Sequence, residues 1–305
     1  MPIIAFDQAV ENLNCGNVVA IPTETVYGLA ANGFSDESVA KIYALKNRPQ
    51  FNPLIMHVPN IEMISDWAEI TPFTHQLMQE FWYKRKASIS FVLNLKENHP
   101  ISLLALAGLN TVAVRRPNHH IALELLNSLA FPLAAPSANR SNNLSPTSAE
   151  HVFSSLSIDV PLLDGGECTV GLESTIADLT QDKIVILRKG AVTEADLKAF
   201  GEVTTANVDA AIRAPGMLKR HYAPHLPLKM NVTEKEPGMA MLGFGECNDS
   251  DLNLSPNANL EEAAANLFKY LHNLDCAKFS SIGVSPIPNH DIGEAINDRL
   301  QRAMR

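Results

Sequence analysis

Lys46, Arg48, Asn52 and His57 fall within twelve residues, on a stretch whose φ angles are fixed at Pro49 and Pro53. Guanidinium and ammonium groups held on a stiff turn bind phosphate at little ordering cost, Arg as a planar fork and Lys as a point charge. The same composition also suits a solvated helix C-terminus, where cations complement the macrodipole. Farther along, Arg115 follows Thr111 and Ala113 in TVAVRRP, and Arg188 ends the apolar run IVILRKG. In a strand, Thr111, Ala113 and Arg115 share one face, which suits a floor beneath a ligand; an edge-strand Arg facing water reads the same way. A further basic group, Lys219, Arg220, His221, Tyr222 and His225, lies in the proline-rich stretch 214–228.

The elements that must hold these groups are read from periodicity and breakers. Asp7 is placed as the cap of a short helix carrying Val10 and Leu13, before the β-rich run 17–21. In IPTETVYGLA (21–30), Thr23, Glu24, Thr25 and Tyr27 follow a strand end, where open α/β sheets place ligand loops, although Thr and Tyr are also ordinary strand formers. Ser35 and Asp36 open a helix ending near Lys46, and LIMHV is the next strand. Helices near 60–68 and 73–82 precede a strand within FWYKRKASISFVL. Residues 132–152 run from a short strand through a Ser, Asn and Pro loop into a helix capped at Thr147, and DGGECTVGLESTIADL leads into a strand beginning near Ser174. After a helix near 193–200, MAMLGF, a helix at 259–274, SSIGVSP and a helix from about 291 form a small βαβα-like unit.

At 305 residues the chain exceeds the usual size of one core, so two domains are expected, and 46% apolar residues suffice to fill them. The net charge of −9 is distributed as −7 over residues 1–205, +3 over 206–229 and −5 over 230–305. A basic connector between acidic bodies favours a small anion at the junction over a long phosphate backbone. Cys15, Cys168, Cys247 and Cys276 are too scattered for a structural zinc site and read as reduced thiols. Neither an export signal nor a transmembrane run is visible, and a cytoplasmic location is expected. The P-loop, the dinucleotide fingerprint Gly-x-Gly-x-x-Gly and His-Glu-x-x-His are all missing from the chain.

IPTETVYGLA, KNRPQFNPLIMH, TVAVRRP, APSANRSNNLSPT, GLESTIADL and LRKG, in this order and spacing, resemble the YrdC-like family of threonylcarbamoyl-AMP synthases. RHYAP and a terminal AINDRL resemble its longer form. The resemblance implies an α/β fold with a twisted, open mixed sheet and flanking helices over residues 1–205, an extended linker over 206–235 and a small Rossmann-like α/β domain over 236–305. It also implies synthesis of L-threonylcarbamoyladenylate and pyrophosphate from L-threonine, bicarbonate or CO2, and ATP with Mg²⁺. The product would pass to a tRNA threonylcarbamoyl transferase complex.

Carried over by motif, Thr25, His57, Arg115, Ala135 and Ser174 resemble the threonine-side positions. Lys46, Arg48, Asn52, Thr111, Ser137, Ser145, Arg188 and Tyr222 resemble the ATP-side positions, with Lys46, Arg48 and Arg188 as the catalytic cations on the phosphates. No metal ligand from the protein is implied, because Mg²⁺ keeps much of its water. Three departures stand out: Asn47 where Gly is common, Lys189 where Pro is usual, and Trp82 to Lys86 in place of a Trp-Pro-Gly-Pro loop. Tyr222 and its linker are the natural gate over a water-sensitive intermediate. Alternative readings are an RNA-binding or ribosome-associated module, with Lys84 to Lys86, Lys219 and Arg220 giving a weak tRNA contact, or a carbamoyltransferase with another acceptor.

Overall fold

The computed structural model describes residues 2–156, 160–207, 213–216 and 221–304. Its larger sheet has nine strands: β1 (Val19–Ile21), β2 (Gly28–Asn32), β3 (Ile55–His57), β4 (Ile89–Asn94), β5 (Thr111–Arg115), β6 (Leu133–Ala134), β7 (Thr175–Asp178), β8 (Ile184–Arg188) and β9 (Val203–Thr205). They lie in the order β1-β2-β6-β3-β5-β4-β7-β8-β9, with β3/β5, β4/β7 and β8/β9 parallel and the other pairs antiparallel. This is the mixed sheet expected. Among the described residues no helix is long and apolar enough to cross a membrane.

The two faces of the sheet are filled differently, and that difference makes room for a site. Met56 of β3, Phe91 and Leu93 of β4, and Val112 and Val114 of β5 pack with Trp67, Leu77, Phe81 and Trp82 in the main core. Each such large side chain contributes about 1.5–3 kcal/mol on burial. Alternation turns the intervening residues to the other face, where Ile55, Val92, Ala113 and Ile176 cluster with Leu187 and with Ala214. Along β5 the small Ala113 therefore separates Thr111 from Arg115 on the open face. The β7/β8 pairing steps from Ala177↔Ile186 to Ile176↔Arg188. One extra residue on β8 is thus taken up as a bulge, which re-aims a side chain and here sets Arg188 opposite Ile176.

The second sheet is wholly parallel, in the order β10 (Leu228–Met230), β13 (Ser281–Val284), β11 (Met239–Gly243), β12 (Leu252–Asn253). It packs with helices Leu260–Leu274 and Ile292–Ala303 as the Rossmann-like unit expected. Because β10 pairs with β13, the small domain takes up residues from 228 onward, inside the range 206–235 read as linker. At three and two residues, β10 and β12 are too short to carry a hydrophobic period. Its core also takes in Val26, Leu144 and Leu172 of the larger domain and Tyr222, so one apolar cluster spans the seam.

Local chemistry departs from expectation at several ends. The first helix is Phe6–Asn14; Asp7 lies in its first turn, and Gln8 accepts from Ala5 N–H. The helix Ala149–Leu156 is capped by Ser148, whose hydroxyl accepts from His151 N–H, while Thr147 bonds the His151 ring. The helix expected to reach residue 82 is α-helical only over Pro72–Met78 and continues as a π-helical turn, Gln79–Lys84.

Candidate active site

The basic turn owes its shape to a helix end. Ser35 caps the helix Asp36–Lys46 by accepting from Ser38 N–H, and Asn47 ends it with φ +51°. Asn tolerates that left-handed conformation better than most residues, so it serves where the family commonly has Gly. Arg48 then folds back, with Nε donating to Asn52 O at 3.2 Å and Nη2 to Pro53 O at 2.9 Å. Lys46 Nζ donates to Ser137 O at 2.5 Å and also to Asn139 O. Both cations are buried. Burial pushes the Arg48 guanidinium down to about 10, and burial with Arg48 as neighbour pushes Lys46 well below its ordinary value.

Arg48, His57, Arg115, Ala135, Ser137, Arg188 and Tyr222 all line one cavity of about 50 Å³. Four more predicted residues stand one bond behind it. Ser174 Oγ accepts from Arg188 Nη2 at 3.1 Å and meets Ser90 Oγ at 2.7 Å. Ser145 donates to Glu173, which lines the cavity. Lys46 reaches Ser137, and Asn52 carries the carbonyl that Arg48 binds. Thr25 is buried beside the lining residue Val26, with its hydroxyl 2.9 Å from that of Thr23. Thr111 is not among the residues lining this cavity; it begins β5, four residues before Arg115.

The two ends of the cavity differ in charge. Arg115 Nη2 donates to Glu24 Oε1 at 2.6 Å, and Glu24 also accepts from Ser88 Oγ at 2.8 Å and Asn118 N–H at 3.1 Å. Burial works against the Glu24 carboxylate, yet Arg115 and these donors hold its pKa below the usual range. Arg115 Nε has no partner and is buried. One edge of its fork is thus fixed by Glu24 and another donor is left for a carboxylate. Beside it His57 is neutral, pushed down to about 3 by burial and then by Arg115; its Nδ1 lies 3.2 Å from Ile55 O and donates there. Among the described residues, Lys46, Arg48 and Arg188 have no carboxylate within ion-pair distance. Near them the side-chain amide of Asn52, Tyr222 Oη and His221 Nδ1 are buried without partners. Such groups cost about 1–3 kcal/mol each unless a polar ligand satisfies them.

The linker covers this end. Ala214 joins the apolar cluster of Ile55, Ala113 and Leu187, and Gly216 lies so close that a Cβ would come within 2.7 Å of Arg188 Cδ and 2.9 Å of Tyr222 Oη. Tyr222 has φ +63° and its ring lies 4.0 Å from His221 and 5.7 Å from Phe268. Ala223 N–H donates to Asn142 O, and His225 pairs with Asp275. Lys219 and Arg220 lie outside the described residues.

Residues 11–190 match the Sua5, YciO and YrdC family, described as Telomere recombination, and residues 192–304 match the family described as Threonylcarbamoyl-AMP synthase, C-terminal domain. The chain belongs to the YrdC-like threonylcarbamoyl-AMP synthase family, in its two-domain form. It is 37% identical to the threonylcarbamoyl-AMP synthase of Pyrococcus abyssi, over 94% of this chain and 90% of that one. With the threonylcarbamoyl-AMP synthase of Bacillus subtilis it shares 35% identity over 97% and 92%. The crystal structure of P. abyssi Sua5 complexed with L-threonine superposes with a TM-score of 0.88 at 34% identity, covering 98% of this chain and 94% of that one.

Within this threonylcarbamoyl-AMP synthase family member, the remaining departures acquire local reasons. Lys189 forms a 2.6 Å ion pair with Glu294 of the small domain. The Trp82 to Lys86 segment is not part of the cavity lining and is fixed by local contacts: Trp82 Nε1 donates to Ile89 O, and Arg85 stacks on Phe81 and pairs with Glu80 and Asp196. Lys84 is likewise paired with Glu80, so two of the cations read as a tRNA contact already have counter-ions. Glu173 was missed as a lining residue, although it sits inside a quoted motif, whereas His221, read as part of the basic linker group, does line the cavity. A wider cleft of about 680 Å³ at the domain seam carries Asp196, Glu261 and Asp291, the wrong sign for phosphate.

Proposed function

We propose that the chain is a nucleotidyltransferase that makes L-threonylcarbamoyladenylate and pyrophosphate from L-threonine, bicarbonate or CO2, and ATP supplied as its Mg²⁺ complex. The observation that carries this reading is the polarity of the cavity: a carboxylate-braced arginine at one end and three cations without carboxylate partners at the other. A threonine carboxylate fits the open Nε of Arg115, and a triphosphate fits Lys46, Arg48 and Arg188. On this reading Mg²⁺ arrives on its phosphates and keeps much of its water.

The threonine amine adds to CO2 and releases a proton. A carbamate oxygen then attacks the α-phosphorus in line, forming the P–O bond as the bond to pyrophosphate breaks. No protein nucleophile takes part, so the chain contributes orientation and charge neutralisation. A cavity of about 50 Å³ holds a water or two and not ATP, since ligand pockets run to about 300–1,000 Å³. Nucleotide entry therefore requires Pro215, Gly216, His221 and Tyr222 to draw back from the cavity they line, and their return excludes water from the carbamate. On this reading the reaction runs in the cytoplasm and its product passes to a tRNA threonylcarbamoyl transferase complex.

The test is incubation with MgATP, bicarbonate and L-threonine, following pyrophosphate and identifying the adenylate by mass spectrometry. Threonine-dependent pyrophosphate with the expected adenylate supports the synthase. Threonylcarbamoyl or carbamoyl transfer without pyrophosphate favours a carbamoyltransferase, and no turnover beside active controls favours an RNA-binding module.

A further inference from the structure

Glu173 is a carboxylate in the wrong place for a site that must accept a triphosphate. It lines the same cavity as Arg48 and Arg188, and it is 6% exposed. One of its oxygens accepts from Ser145 Oγ. The other accepts from Nε of Arg299 at 2.9 Å, a residue of the small domain that is 126 positions distant and 1% exposed.

Arg299 makes more contacts than an ion pair needs. Its Nη2 donates to Lys189 O at 2.8 Å, next to Arg188, and its Nη1 donates to Asp298 at 2.7 Å. Its guanidinium carbon lies 5.1 Å from the centre of the Tyr222 ring. One planar fork thus joins the small domain to the Glu173 and Lys189 backbone segments and to the aromatic wall of the cavity, a geometry that Lys cannot reproduce. The seam around it is fitted closely: Gly171 has φ +70°, and a Cβ there would come within 2.5 Å of Ala265 O in the helix Leu260–Leu274. His272 Nε2 of that helix lies 3.1 Å from Ser145 O.

Each carboxylate bordering the site accordingly has its own arginine, Glu24 with Arg115 from the larger domain and Glu173 with Arg299 from the smaller. We propose that Arg299 is a positioning residue for the nucleotide: it neutralises Glu173 and fixes Ser145, Lys189 and Tyr222, so that the small domain completes the ATP end of the cavity and leaves the threonine end alone. This rests on the reading of the cavity as the adenylate-forming site.

The experiment is calorimetric titration of MgATP, and separately of L-threonine, into the full chain and its Arg299→Met, Arg299→Lys and Arg299→Met/Glu173→Gln variants, with circular dichroism to confirm folding. Arg299→Met leaves Glu173 as an unpaired charge beside a polyanion, so MgATP affinity should fall at least about tenfold, with threonine affinity within about twofold. Adding Glu173→Gln removes that charge and should restore most of the MgATP affinity, a rescue that a merely structural arginine would not show. If Arg299→Met does not fold, Arg299→Lys carries the test: it keeps the charge, so MgATP affinity should stay within about threefold while kcat falls through loss of the fork. Wild-type MgATP affinity in folded Arg299→Met, equal loss for both substrates, or a double variant as weak as the single one would each overturn the inference. A wild type that binds MgATP but forms no pyrophosphate with threonine would overturn the synthase reading and leave the Arg299 result standing.

Discussion

The amino-acid end and the nucleotide end of the cavity solve the problem of a buried arginine in opposite ways. At the amino-acid end Arg115 has its counter-ion already, and Glu24 is in turn held by Ser88 and the Asn118 amide. At the nucleotide end Arg48 has carbonyl oxygens and the Tyr43 hydroxyl, and no carboxylate, as its partners among the described residues, and Asn52 and Tyr222 leave polar atoms unsatisfied. The first end is preformed and close to neutral. The second is held at a desolvation cost that a polyanion relieves, which makes binding energy available there on ligand arrival and not before. Fold stability should therefore depend on the first pair and ligand affinity on the second group.

The largest effect is expected where the pair is broken. Glu24→Ala strands the Arg115 guanidinium in a buried site, and loss of one partner of a buried ion pair costs about 3–5 kcal/mol. Urea denaturation should show a loss of this size, along with weakened threonine binding in whatever fraction remains folded. A Glu24→Ala chain as stable as the wild type would mean that Arg115 finds another counter-charge and that the two ends are not distinguished as argued.

Much of this contrast was legible in the sequence, and the part that was not has a physical reason. Arg48, His57, Arg115 and Ser137 could be placed because each sits on a strand end or a proline-stiffened turn whose geometry is local. The strand alternation of Thr111, Ala113 and Arg115 agrees with β5, but it says only which face they share, and not which of them lines the cavity. Arg188 was found by its position after an apolar run, whereas the bulge that aims it depends on pairing with β7. Glu24 and Glu173 were visible inside motifs, but their partners lie 91 and 126 positions away and no local pattern links them. The π-helical turn at Gln79–Lys84 and the short strands β10 and β12 were invisible for the same reason, since tertiary packing decides them.

Arg48→Ala sharpens the comparison from the other end. It removes two hydrogen bonds to carbonyls and one with Tyr43, and also a buried charge with no counter-ion among the described residues, so stability should stay within about 1 kcal/mol. Loss of a charge-assisted contact to phosphate should weaken MgATP binding by about 1.5–3 kcal/mol, roughly ten- to a hundredfold, with threonine affinity unchanged. Calorimetry on the folded variant decides it. Unchanged MgATP affinity would remove Arg48 from the nucleotide end, and a stability loss matching that of Glu24→Ala would erase the distinction between the ends.

Two neutral histidines give the finest test, because burial lowers both and different neighbours add to it. His57 is pushed down to about 3 by burial and then by Arg115, with Glu24 opposing. His221 is held well below its ordinary value by burial and then by Arg48, Lys46, Arg188 and Arg299. In both cases the folded state binds protons less readily than the unfolded chain. Their contribution is therefore whole above an unfolded pKa of about 6.5 and is lost as pH falls toward the folded value. By pH 5.5 the His57 share costs about 1.4 kcal/mol, and His221 adds a loss of the same sign. A triphosphate at the nucleotide end offsets the cations around His221 and leaves the Arg115 and Glu24 surroundings of His57 as they were. Saturating MgATP should accordingly recover the part of the acid-induced loss that belongs to His221 and leave the His57 part in place. Thermal unfolding at pH 7.5 and pH 5.5, with and without MgATP, measures this, and His221→Asn controls for titration of the nucleotide itself. In that variant the nucleotide-dependent recovery should vanish while the His57 share persists; equal recovery in variant and wild type would place the triphosphate away from His221.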